Sequence, residues 1–120
     1  MKKKILVADD EPQLLELVSQ RLKTNNYEVV SVRDGVEALK KTSTENPDLI
    51  ILDIKMAQMD GYTTLQRLKA DEKTKSIPVI ILTAYDKMKD LFTLEGIADY
   101  IVKPFNEQDF LLRVSRALKH

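Results

Sequence analysis

At 120 residues the chain has room for one domain and one core, since a chain of this length buries roughly two-thirds of its unfolded surface. Hydrophobic content of 43% beside 32% charge reads as soluble and globular, and 19 basic against 19 acidic side chains leave no net field to recruit nucleic acid or an anionic membrane. No apolar stretch approaches the roughly 20 residues of a bilayer span, cysteine is absent, and His120 is the only histidine, which excludes Cys–His and Ser–His–Asp catalysis and a Cys/His zinc site.

After Met1 comes Lys2-Lys3-Lys4, which reads as a solvated amino terminus because nothing else reinforces it as a binding patch. The chain passes at once into a strand-like run at 4–8, without the longer apolar core and cleavage site of a signal peptide. Together with the missing cysteines this predicts a cytoplasmic setting. Asp9-Asp10-Glu11 follows, then Pro12, suited to a first helical turn, and Leu14, Leu15, Val18 and Leu22 at helical spacing. The run at 28–32 includes Glu28 and Ser31, which predicts an edge strand. Asp34 with Glu37 resembles a capping box before a helix whose apolar face carries Val36 and Leu39. After the turn Asn46-Pro47-Asp48, the strand at 49–53 is apolar through Leu52 and stops at Asp53. Asp60-Gly61 is a second turn, and Tyr62, Leu65 and Leu68 repeat as a helix does. The strand at 79–82 stops at Thr83. The segment 86–96 has the least regular helical pattern, with Met88, Leu91, Phe92 and Leu94 as a short apolar face. The strand at 99–102 stops at Lys103, and Phe110, Leu111, Val114 and Leu118 mark a last helix.

Five strands alternating with helices predict an α/β domain with a parallel sheet covered on both faces. Ligands of such sheets sit beyond the strand carboxyl ends, where strand order reverses. Four of the five runs here end on Asp9-Asp10, Asp53, Thr83 and Lys103, so these residues should converge. Three crowded acids repel, and a hard divalent cation relieves that; Mg²⁺ suits, because it takes one or two carboxylates and keeps water and phosphate oxygens, with Mn²⁺ as an alternative. The plainer reading has Asp9 and Asp10 favoured by the dipole of the first helix. Asp53, ending a buried strand, can act as a nucleophile and form an acyl phosphate, with Lys103 and Thr83 on other phosphoryl oxygens. Lys103-Pro104 is expected to be trans from composition alone.

Over essentially all 120 residues the chain resembles a response regulator receiver domain of the single-domain, CheY-like kind. The resemblance rests on Ile5-Leu6-Val7-Ala8-Asp9-Asp10-Glu11, Pro47-Asp48-Leu49-Ile50-Ile51-Leu52-Asp53, Met59-Asp60-Gly61, Leu82-Thr83-Ala84 and Lys103-Pro104-Phe105, in order and at near-family spacing. It implies one receiver domain over 1–120, with a flavodoxin-like doubly wound sheet of order 2-1-3-4-5. It implies a two-component phosphoacceptor switch rather than a turnover enzyme, taking a phosphoryl group onto Asp53 from a sensor histidine kinase or histidine phosphotransfer protein. Mg²⁺ would be held by Asp10, Asp53 and the Lys55 backbone carbonyl, with Asp9 assisting through water. Thr83 and Lys103 would contact the phosphoryl group, the Lys103–Pro104 bond would be cis, and Tyr100 would be the aromatic that swings inward when Thr83 moves, so that a protein-binding face is switched. Neither direct nucleic-acid contact nor a membrane is implied. Lys55 and Tyr85 border the phosphoryl position, and their bulk is expected to slow loss of phosphate.

Three departures stand out. Met56-Ala57 replaces the common Met-Pro, Thr83 to Lys103 spans 20 positions, about two fewer than usual, and Gly96-Ile97-Ala98-Asp99-Tyr100 replaces Gly-Ala-Asp-Asp-Tyr. The fourth helix or its flanking loops should therefore be shortened. Two other classes compete: a Mg²⁺-dependent phosphohydrolase, against which Lys55 stands where a second Asp is usual, and a binding scaffold that has lost phosphorylation, against which Asp10, Asp53, Thr83 and Lys103 stand. The kinase, the downstream target and the extent of the natural protein are not legible in these residues.

Overall fold

The structure is a computed structural model and describes residues 2–119; His120 lies outside the described residues. Strands β1 (Lys4–Ala8), β2 (Glu28–Val32), β3 (Leu49–Leu52), β4 (Val79–Thr83) and β5 (Asp99–Val102) alternate with helices α1 (Pro12–Thr24), α2 (Gly35–Glu45), α3 (Gly61–Ala70), α4 (Lys89–Leu94) and α5 (Glu107–Leu118). All neighbouring strands pair in parallel, in the order β2-β1-β3-β4-β5. This is the flavodoxin-like doubly wound sheet, with β2 at one edge as its polar residues require.

Period-two alternation splits the core between the two faces. Leu6, Ile50, Leu52, Ile81 and Tyr100 face Ala38 of α2, Leu65 and Leu68 of α3, and Phe92 of α4. Ile5, Val7, Leu49, Ile51, Ile80 and Ile101 face Leu15, Val18 and Leu22 of α1, and Phe110 and Val114 of α5. Each Leu, Ile, Val or Phe among them, fully buried, contributes roughly 1.5–3 kcal/mol. No helix among the described residues is long and apolar enough to cross a membrane.

Local chemistry sets the helix ends. Asp34, Asp60 and Asn106 cap α2, α3 and α5 by accepting from the backbone N–H groups of Glu37, Thr63 and Asp109. Asn46 ends α2 in the left-handed conformation, at φ 52°. Two helices differ from the sequence pattern. Val36 is 41% exposed, and α2 buries Gly35, Ala38 and Thr42 instead, because its first turn lies against α3 and the loop before it. Helix α4 has only six residues and no side-chain cap; Phe92 is buried, while Leu91 and Leu94 face outward.

Candidate functional site

Strand register brings the polar residues together. Ala8 pairs with Leu52, so the residues that follow, Asp9 and Asp53, leave the sheet side by side, and the Asp53 N–H donates to the Ala8 carbonyl at 3.0 Å. Thr83 pairs with Val102, and the N–H of Lys103 donates to the Thr83 carbonyl at 2.7 Å. The carboxylates of Asp9, Asp10 and Asp53 have oxygens within 4.8 Å of one another. Asp9 is 3% exposed and Asp53 5%, whereas Asp10 is only partly buried.

The Lys103 ammonium lies inside this cluster, 2.9 Å from Asp9 Oδ2, 3.2 Å from Asp53 Oδ2 and 3.5 Å from Glu11 Oε1. Asp53 Oδ1 accepts the Ile54 N–H at 2.7 Å. The Asp53 carboxyl is held above its ordinary range, first by burial, against the pull of Lys103, and with Asp9 adding repulsion. Burial outweighs the repulsion between the crowded acids as the cause. Burial pulls the Lys103 ammonium down, but its bonds to Asp9 and its attraction to Asp53 outweigh that and raise it. A single ammonium is shared between two buried carboxylates. Asp10 has no ion-pair partner among the described residues, and the cluster is left short of positive charge. An all-oxygen donor set with surplus negative charge fits a hard divalent cation. Asp9 and Asp10 do not cap α1; Asp9 accepts the N–H of Glu11, and Glu11 precedes the helix without a side-chain cap.

A pocket of about 380 Å³ opens over the cluster, lined by Asp10, Glu11, Asp53, Lys55, Thr83, Ala84, Tyr85 and Lys103. Thr83 is fully buried and its Oγ1 accepts the Tyr85 N–H at 3.3 Å. Lys55 and Tyr85 are exposed at the rim. Tyr100 is turned inward, and its hydroxyl donates to the Tyr85 carbonyl. The Lys103–Pro104 peptide bond is cis, as the resemblance implies and composition does not. A larger, more apolar cleft runs beside the pocket between α1 and α5 and shares Glu11, Ala84 and Lys103 with it.

Two features of the surroundings have no signal in local sequence. Glu11 joins the Lys103 cluster across the site. Tyr62 of α3, Phe92 of α4 and Tyr100 form a row of rings with centroids 5.3 and 6.0 Å apart, and the Tyr62 hydroxyl donates to Glu95 at 3.0 Å. Only the residue types of the row, not their meeting, can be read along the chain.

Known proteins are similar to this chain in sequence and in fold. Residues 5–115 match the response regulator receiver domain family. The alkaline phosphatase synthesis transcriptional regulatory protein PhoP of Bacillus subtilis is 40% identical over 121 residues, covering 99% of this chain and 50% of PhoP. The DNA-binding dual master transcriptional regulator RpaA of Synechocystis is 38% identical over 118 residues, covering 97% of this chain and 49% of RpaA. The chain thus spans about half the length of these curated relatives. Among solved structures, the chemotaxis response regulator CheY4 of Vibrio cholerae superposes with a TM-score of 0.90 at 30% identity, over 98% of this chain and 100% of CheY4. The receiver domain of sensor histidine kinase PA1611 from Pseudomonas aeruginosa, solved with magnesium coordinated in its active site cleft, superposes with a TM-score of 0.91 at 25% identity over 100% of both chains. The strand-end acids, the doubly wound sheet and these likenesses agree: the chain belongs to the response regulator receiver domain family of two-component signal transduction.

Proposed function

We propose that Asp53 accepts a phosphoryl group from a phosphohistidine of a partner kinase or phosphotransfer protein, in a step that needs Mg²⁺. The observation carrying this reading is the placement of Asp53 within 4.8 Å of two further carboxylates and 3.2 Å from an ammonium. An Asp53 oxygen attacks phosphorus, the bond from phosphorus to the imidazole nitrogen breaks, and the departing imidazole keeps that electron pair. Burial favours the protonated, unreactive carboxyl, so Lys103 and added positive charge are what keep the nucleophile ionised. Mg²⁺, when bound, would supply that charge and neutralise the phosphoryl oxygens; Asp10, Asp53 and the Lys55 backbone carbonyl would hold it, with Asp9 through water, and Mn²⁺ could substitute.

Lys103 exchanges its bond to Asp53 for one to a phosphoryl oxygen while Asp9 still anchors it, and the Thr83 hydroxyl donates to another. Thr83 and Tyr100 both meet at Tyr85, one through its N–H and one through its carbonyl, which supports Tyr100 as the element that registers the Thr83 movement. Lys55 and Tyr85 stand at the rim where water must approach, and their bulk prolongs the phosphorylated state. The apolar cleft between α1 and α5 opens on the same Lys103 edge and offers a donor protein a surface beside the reacting atom.

Repeated turnover separates this switch from a phosphohydrolase. Acetyl phosphate with Mg²⁺ should label one site per chain and then release phosphate slowly. Rapid multiple turnover favours the hydrolase, and no labelling favours the scaffold.

A further inference from the structure

The loop between β3 and α3 contains Lys55, whose carbonyl the proposed metal site needs, and has Ala57 where proline would stiffen it. Its order has another source. At one end the Gly61 N–H donates to the Ile54 carbonyl at 2.7 Å, and a Cβ on Gly61 would overlap the Asp53 carbonyl oxygen and stand 2.7 Å from Ile54 Cα. From the opposite side the start of α2 presses on the same loop. Asp34 forms a β-bridge with Ala57, and a Cβ on Gly35 would overlap the Met59 carbonyl oxygen and the Thr64 hydroxyl and stand 2.7 Å from Met59 Cβ.

The demand at Gly35 is close approach, since its backbone is not among those with positive φ. Asp34 is itself fixed by accepting the Glu37 N–H at 2.8 Å. Between the two contacts Gln58 is held at φ 69°, a conformation that a non-glycine residue keeps only where its surroundings impose it. The loop is therefore wedged between Gly61 and Gly35, and its carbonyl groups have little freedom to move.

We propose that Gly35 is a positioning residue for the metal: the first turn of α2, packed without a side chain against Met59, holds the Lys55 carbonyl beside Asp53. This rests on the Mg²⁺ reading above. Opening the wedge leaves the acids in place but frees one ligand, so metal affinity falls while the fold persists.

The test is a Mg²⁺ titration followed by NMR chemical shifts on wild type, Gly35→Ala and Gly96→Ala, each well below its own melting temperature. Gly96 lies at φ 83° with open space around it, so alanine there costs stability through backbone strain alone. Gly35→Ala is expected to weaken Mg²⁺ binding by about tenfold, as loss of support around a ligand does. Gly96→Ala is expected to melt lower with Mg²⁺ affinity unchanged. Should Gly35→Ala fail to fold, Asp34→Ala loosens the same turn without inserting an atom and is expected to weaken Mg²⁺ in the same direction. A destabilised Gly35→Ala that binds Mg²⁺ as wild type does overturns the proposal, and so does an Asp34→Ala with unchanged affinity. If wild type itself shows no Mg²⁺-dependent shifts near Asp53, the metal reading falls and takes this proposal with it.

Discussion

At the scale of single residues, the behaviour of the site follows from how one ammonium is shared. Lys103 serves Asp9 and Asp53, and Asp10 is left without an ion-pair partner among the described residues. Removing the Asp10 charge should relieve about 1 kcal/mol of repulsion once solvent screening is allowed for. Asp10→Asn is therefore expected to melt a few degrees higher than wild type in EDTA, and to show a blunted rise on adding Mg²⁺. Scanning calorimetry with and without the metal checks both, and a lower metal-free melting temperature contradicts the crowded-acid account. Lys55 and Tyr85 make a separate prediction about lifetime. The double variant Lys55→Asn, Tyr85→Ala opens the rim of the pocket to water and should lose phosphate about tenfold faster, as a barrier lower by about 1.4 kcal/mol would give. Chasing a phosphorylated sample by reverse-phase chromatography measures it, and an unchanged half-life removes the shielding role.

At the scale of elements, α4 is the least anchored piece of the fold. Its six residues bury Phe92 alone, lack a side-chain cap and leave Leu94 84% exposed. Tyr62 holds it from the side, by ring contact with Phe92 and by its hydrogen bond to Glu95 just beyond the helix. That bond, with some burial, raises the Tyr62 phenol above its ordinary value of 10.0. A raised value means that the folded state holds the phenolic proton more tightly than the unfolded chain. The stabilisation is therefore complete below pH 10 and is lost as pH rises through the raised value. Tyr62→Phe should lower hydrogen-exchange protection of α4 at neutral pH, and its difference from wild type should shrink above pH 10. No difference at neutral pH would show that the ring matters and the hydroxyl does not, and a difference that stays constant through that range would show that ionisation of the hydroxyl plays no part. This element was also the hardest to read along the chain. Its apolar residues do not share one face: Phe92 turns inward, and Leu91 and Leu94 turn to solvent. Val36 misled for a related reason, because Gly35 sets how α2 approaches α3 and a glycine carries no hydrophobic signal.

At the scale of the whole molecule, the site was legible because a parallel sheet turns a one-dimensional pattern into a position. Each buried run ends on a polar residue, and register alone brings Asp9, Asp53, Thr83 and Lys103 to one edge. What register does not encode is the pairing of side chains across that edge. That Lys103 lies between Asp9 and Asp53, with Glu11 joining it, depends on contacts between residues as many as 94 positions apart. The same limit applies to the Tyr62–Phe92–Tyr100 row and to the wedge around the β3–α3 loop. The central claim, that these strand ends make Asp53 a Mg²⁺-dependent phosphoacceptor, has one direct test. Wild-type protein treated with acetyl phosphate, with Mg²⁺ or with EDTA, is reduced with borohydride, which converts an aspartyl phosphate to homoserine, and is then mapped by mass spectrometry. The account predicts homoserine at position 53 alone and only when Mg²⁺ is present; conversion at another acid, or equal conversion in EDTA, would contradict it.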